Sequence, residues 1–313
     1  MRRASGLSIA VVAIWLTVGI VSAAAPALGA EGEAWILSTR SAPACGSLDS
    51  GHEQIRYWRL GADRCRKPSD ANAFYAAAET PVPTTFFVHG NRTSANDAVR
   101  EAWPLRRRLE HEADGRPYRL VIWSWPSDRI RGRSRRDIQV KAARSDGQAY
   151  YLAQMLRSLP PDVPVNLVGY SFGSRIIAGA LHLTAGGRLA GRRLDGPAVE
   201  RLPVRAVLVA AALDNDWLLP GHRNGLALSQ IEQMLITVNR RDRVLHWYPA
   251  MRRGRGPWAM GYVGPRVRGF AEKIELLDVT RATGRQHDWC RYIAAECLRA
   301  AVGRYALEEA VAR

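Results

Sequence analysis

Lysine is nearly missing from this chain. Of its 313 residues only Lys67, Lys141 and Lys273 carry an ammonium, so the net charge of +16 is almost entirely arginine. Cysteine is also scarce, with four in all, and none directly follows the N-terminal apolar run, which argues against a lipoprotein anchor. No charged residue occurs between Ala4 and Ala30. There is no internal repeat and no clean linker, so residues 31–313 read as one domain. No nucleic-acid motif or pattern of stacking aromatics accompanies the arginines, so no specific nucleic-acid partner is expected.

What is present begins with a leader. Arg2-Arg3 precedes an apolar run from Leu7 to Val21 and a small-residue stretch ending at Ala30. This order is that of a secretory signal over residues 1–30, cut near Ala25-Pro26-Ala27 or at Ala30. An uncleaved membrane anchor is the alternative. Export to the periplasm or the medium would place Cys45, Cys65, Cys290 and Cys297 in an oxidising compartment, where an even number favours disulfides. Three connectivities are open, and Cys45–Cys65 with Cys290–Cys297 is favoured. In one continuous helix Cys290 and Cys297 would lie about 10.5 Å apart, so that pair requires a break between them.

The arginines cluster at Arg106-Arg107-Arg108, between Arg129 and Arg136, and at Arg252, Arg253 and Arg255. One reading is attraction to an anionic membrane or envelope surface. The favoured one is a solvated, arginine-biased exterior. Composition allows a large core, since 47% of the residues are hydrophobic.

Strand and helix signals alternate along the chain. Strands are expected at 34–40, 55–60, 84–88, 118–123, 163–168, 204–212, 234–238 and 273–279. Helices are expected at 93–109, capped by Thr93 or Ser94, at 137–159, after residue 173, near 226–231, and at 292–311. The segment from Leu245 to Gly269, rich in Arg, Gly and Trp, reads as an irregular insertion. Such alternation predicts an α/β fold with a mostly parallel central sheet and helices on both faces.

Within that order, Gly169-Tyr170-Ser171-Phe172-Gly173 sits between an apolar strand and an apolar helix. This is the context of a nucleophile elbow, in which a sharp turn projects a serine hydroxyl from the end of a sheet. A serine needs a base, and the base needs an orienting acid. In such a fold the acid and then the histidine follow the serine along the chain. Of His182, His222, His246 and His287, only His287 follows the last strand. Asp242 follows the strand at 234–238 and is the expected acid, with Asp214, Asp216 and Asp278 as competitors. The oxyanion donors are expected to be the N–H of Phe172 and that of Asn91, beside Gly90, while His89 steadies the same turn.

The segments Trp35 to Arg40, Phe87-Val88-His89-Gly90-Asn91, Trp123-Ser124-Trp125-Pro126-Ser127, Gly169 to Gly173 and Asn239 to Asp242 together resemble the α/β-hydrolase superfamily. The pattern is most similar to a bacterial branch of hydrolase-like domains of unknown function. The resemblance implies the α/β-hydrolase fold and hydrolysis of an ester or related acyl bond on a small-molecule or lipid-like substrate. No metal or organic cofactor is needed for such a reaction. The alternative is a catalytically silent scaffold that binds anionic envelope components through its arginines.

Overall fold

The computed structural model describes residues 32–42, 54–132, 134–200, 204–251, 256–266 and 271–307. The expected leader, Cys45 and the cluster at Arg252, Arg253 and Arg255 lie outside these residues. Nine strands form one sheet: β1 (Glu33–Ser38), β2 (Arg56–Leu60), β3 (Arg66–Ser69), β4 (Thr84–Val88), β5 (Arg119–Ser124), β6 (Val165–Tyr170), β7 (Val204–Val209), β8 (Ile231–Val238) and β9 (Ile274–Asp278). Their order across the sheet is β3-β2-β1-β5-β4-β6-β7-β8-β9. Every pairing from β1 to β9 is parallel, and β2 runs antiparallel to both of its neighbours.

Central strands carry β-branched and aromatic residues because both of their faces are covered. Thr84, Thr85, Phe86, Phe87 and Val88 of β4 are all buried. The longer helices are α1 (Ala71–Ala78), α2 (Ala95–Ala113), α3 (Ser134–Ser158) and α4 (Phe172–Thr184). Short helices follow as α5 (Arg243–His246), α6 (Tyr248–Met251), α7 (Met260–Val263) and α8 (Thr280–Thr283), and α9 (Trp289–Ala294) and α10 (Glu296–Leu307) end the described chain. Right-handed crossovers decide the layers. The chain steps from β4 sideways to β5 through α2, then back across β4 to β6 through α3. These opposite steps put α2 and α3 on opposite faces. Accordingly α3 packs on α4, whereas α2 packs on α9 and α10. The reversal leaves a crevice beyond the C-terminal ends of β4 and β6, where ligands bind in such sheets.

Several elements differ from expectation. Arg66-Lys67-Pro68-Ser69 has no apolar alternation, yet it forms the edge strand β3, where Pro68 leaves no interior ladder bond unmade. Asp70 then caps α1 by accepting from the Ala73 N–H at 2.8 Å. The segment expected to be irregular after Leu245 contains the short helices α6 and α7. The expected C-terminal helix begins earlier and is interrupted at Ala295, between α9 and α10.

That interruption supplies the break a Cys290–Cys297 bond would need, but the bond is not there. Cys65, Cys290 and Cys297 are free and exposed, so the favoured disulfide pairing is corrected for all three. The two C-terminal thiols face solvent from separate helices. Among the described residues, no helix is long and apolar enough to cross a membrane. One arginine cluster is also not a solvated loop: Arg106 is buried in α2, donating to the Gly61 carbonyl at 3.0 Å and to Glu110 at 2.8 Å.

Candidate active site

Ser171 joins β6 to α4 with φ 54° and ψ −111°, a left-handed backbone that L-residues rarely adopt. The flanking glycines are required by close approach. A Cβ on Gly169 would lie 2.7 Å from the Ser174 nitrogen, and one on Gly173 would strike the Val88 carbonyl. The hydroxyl therefore emerges at the crevice mouth with little of the residue exposed.

Three strand ends bring three side chains together. His287 follows β9 and α8, and its Nε2 is 2.9 Å from Ser171 Oγ. Its Nδ1 is 2.7 Å from Oδ2 of Asp242, which follows β8. A carboxylate only accepts, so Nδ1 carries the proton and donates, leaving Nε2 to accept from the serine hydroxyl. Asp242 is fully buried and caps α5, where its Oδ1 accepts from the N–H groups of Val244 at 2.9 Å and Leu245 at 3.0 Å. The Tyr170 ring lies against the imidazole, with centroids 5.4 Å apart.

The competing acids are engaged elsewhere. Asp214 accepts from the Tyr248 hydroxyl at 2.7 Å, Asp216 faces His222 at 3.6 Å, and Asp278 accepts from the Thr280 N–H at 2.8 Å. The competing histidines are also accounted for. His182 is buried and accepts from the Leu226 N–H at 3.2 Å, while His246 meets the Tyr262 hydroxyl at 2.9 Å.

Asn91 and Phe172 line the same cavity as Ser171 and His287, a space of about 790 Å³. Gly90 brings the turn close: a Cβ there would lie 3.4 Å from Ser171 Cβ and 2.9 Å from the Tyr170 ring. The side-chain oxygen of Asn91 accepts from the Arg92 N–H at 2.9 Å. His89 is fully buried and has both nitrogens engaged. Nε2 accepts from the Trp125 N–H at 3.2 Å, and Nδ1 donates to the Gly90 carbonyl at 2.9 Å. Burial lowers its pKa to about 3, so the ring is neutral and structural.

Sequence reasoning missed the group that holds this turn from behind. The Trp125 indole donates to the His89 carbonyl at 2.9 Å. Ser127 Oγ donates to the Thr93 carbonyl at 2.9 Å, and its own carbonyl accepts from the Arg92 N–H at 2.8 Å. Lys141, fully buried, donates to the Ser127 carbonyl at 3.1 Å and to Asp137 at 3.0 Å. The Ser-Trp-Pro-Ser segment signalled this brace, but its partners lie far away in the chain. Tyr292 was missed as well. Its hydroxyl donates to Asp242 Oδ2 at 2.7 Å and accepts from Asn239 Nδ2 at 3.1 Å.

No family model matches the chain, and no curated protein does. Solved structures similar to it include the catalytic core domain of acetyl xylan esterase from Trichoderma reesei, at 14% identity over 72% of this chain and 96% of that one, with a TM-score of 0.38. A lipase-esterase related protein from Clostridium acetobutylicum matches at 13% identity over 71% and 93% of the respective chains, with a TM-score of 0.37. Carboxyl esterase 2 of Tuber melanosporum matches at 12% identity over 81% and 83%, with a TM-score of 0.39. Likeness this distant carries no weight by itself. Strand order does, together with an elbow after β6, an acid after β8 and a histidine after β9. By those features the chain has the α/β-hydrolase fold.

Proposed function

We propose that the protein is an exported serine hydrolase of carboxylic esters, with Ser171 as nucleophile, His287 as base and Asp242 as orienting acid. The supporting observation is the chain of contacts from Ser171 Oγ to His287 Nε2 at 2.9 Å and from His287 Nδ1 to Asp242 at 2.7 Å. Ser171 Oγ adds to the ester carbonyl while its proton passes to His287 Nε2, and Asp242 stabilises the imidazolium. The backbone N–H groups of Phe172 and Asn91 receive the developing oxyanion. Collapse expels the alcohol, which takes the proton from His287, and leaves an acyl-Ser171. Water then gives a proton to His287 and attacks the acyl carbon, releasing the carboxylic acid and restoring the serine.

Assignment to the bacterial branch rests on the Ser-Trp-Pro-Ser segment, and export rests on residues 1–30 alone. Replacing Ser171 by Ala is expected to lower turnover of a short-chain chromogenic ester by about 10⁶-fold and to abolish labelling by a fluorophosphonate, with the circular dichroism spectrum unchanged. Full residual turnover in the folded variant would remove the reading.

A further inference from the structure

Ser171 opens α4, and Arg175 lies one helical turn further on, so both face the same cavity. Three more arginines line it: Arg92, Arg223 and Arg243. Among the described residues no aspartate or glutamate does. The neighbouring carboxylates sit behind the wall and are shared or already engaged. Asp146 takes both Arg175, at 3.5 Å, and Arg223, at 2.6 Å. Asp137 takes both Arg92, at 2.9 Å, and the buried Lys141, at 3.0 Å. Asp214 is held by Tyr248 and Asp242 by His287. The Arg243 side chain has no ion pair among the described residues. The four guanidiniums of the lining are therefore met by only two carboxylates, Asp137 and Asp146, the first of which is shared with Lys141.

Two of these cations are fixed in place. The guanidiniums of Arg175 and Arg223 both stack on Trp217, at 4.5 and 5.0 Å from its ring, and Arg175 Nε also donates to Ser145 at 2.7 Å. A planar fork held by stacking keeps its remaining N–H donors in one direction, the geometry that suits a carboxylate or phosphate. Most of the remaining lining is aromatic and aliphatic, with Phe172, Leu245 and Tyr248 among its walls. An apolar bore with charge of one sign attracts an ester that has an apolar body and an anion of opposite sign.

We infer that the substrate is an acidic ester, one carrying a free carboxylate or phosphate besides the scissile bond, and that Arg175 and Arg223 bind this anion. The inference rests on Ser171 acting as an esterase nucleophile, and the test separates the two.

Two matched pairs serve as probes. 4-Nitrophenyl hydrogen succinate against 4-nitrophenyl methyl succinate places the anion on the acyl side. 4-Acetoxybenzoate against methyl 4-acetoxybenzoate places it on the leaving side. Rates are corrected with Ser171→Ala, because succinate monoesters also hydrolyse unaided. In at least one pair the acid is expected to exceed its methyl ester in kcat/KM by about tenfold at low salt, with the ratio falling towards one in half-molar sodium chloride. Arg223→Gln, on an exposed side chain, is expected to bring the ratio in that pair towards one, and Arg175→Gln to do the same. Ratios of one or less in both pairs, with turnover still dependent on Ser171, would overturn the inference and leave the esterase reading intact. Turnover of all four esters independent of Ser171 would overturn both.

Discussion

Asp242 is wholly buried, and a carboxylate is tolerated there because four donors surround it. Two are backbone N–H groups of α5, one is His287, and one is the Tyr292 hydroxyl. Tyr292 shares its acceptor atom with His287, so it governs how that oxygen is aimed. Removing its hydroxyl as Tyr292→Phe leaves Oδ2 one donor short and deprives Asn239 of an acceptor. A hydrogen bond to a charged group contributes about 1.5–3 kcal/mol, so the urea midpoint should fall by that equivalent. Turnover by the folded variant should fall by roughly tenfold, as expected of a displaced orienting acid rather than an absent one. Unchanged kcat in a folded Tyr292→Phe would show that His287 alone suffices to place Asp242.

Among the elements, α2 shows how local chemistry and packing cooperate. Ser94 and Asp97 form a complete capping box, each side chain bonded to the other's backbone N–H. Ala98, Ala102, Leu105 and Leu109 bury one stripe of the helix, and Ala113 continues it. The sequence reading offered Thr93 or Ser94 as the cap. The structure selects Ser94, because Thr93 is committed to Ser127 and Glu101. Replacing Ser94 by Ala should destabilise the protein by about 1 kcal/mol in equilibrium denaturation. Ser171, Asp242 and His287 lie on other strand ends, and the Gly90-Asn91 turn is braced by Trp125 and Ser127, so ester turnover should be unaffected. The elbow was legible for a similar reason: its glycines and its strand–turn–helix order are local facts. By contrast, β3 pairs with β2 alone among the strands, and no local pattern announced it.

At the scale of the whole molecule, the buried His89 and the partly buried Glu101 oppose each other. His89 is neutral, with its pKa lowered by burial from 6.5 to about 3. Its contribution to stability is complete above 6.5 and is lost as pH falls from there towards 3. Glu101, beside Thr93 at 3.1 Å, has its pKa raised by burial from 4.5 to about 7. Its contribution is complete below 4.5 and is lost as pH rises towards 7. Between 4.5 and 6.5 the two slopes cancel, and below 4.5 only the loss from His89 remains. In Glu101→Gln the opposing slope disappears. Thermal or urea denaturation should show the stability of this variant relative to the parent rising by on the order of 3 kcal/mol from pH 4.5 to pH 7. A constant difference across that range would show that Glu101 does not titrate in the folded protein.

By itself the sequence determined the class of fold, the serine at the elbow, and the order in which Asp242 and His287 follow it. These are set by periodicity, glycine sterics and chain order, all of which act over a few residues or along a single dimension. The close approach of Ser171, Asp242 and His287 was legible for the same reason, because parallel strands deliver their C-terminal loops to one edge. Tertiary structure alone decided that Trp125, Ser127 and Lys141 brace the Gly90-Asn91 turn, and that Tyr292 supports Asp242. It also decided that Cys290 and Cys297 stay apart, and that Arg175 and Arg223 converge on Trp217 from different parts of the chain. The physical reason is distance: these partners are brought together by the packing of layers and loops, which no local pattern encodes.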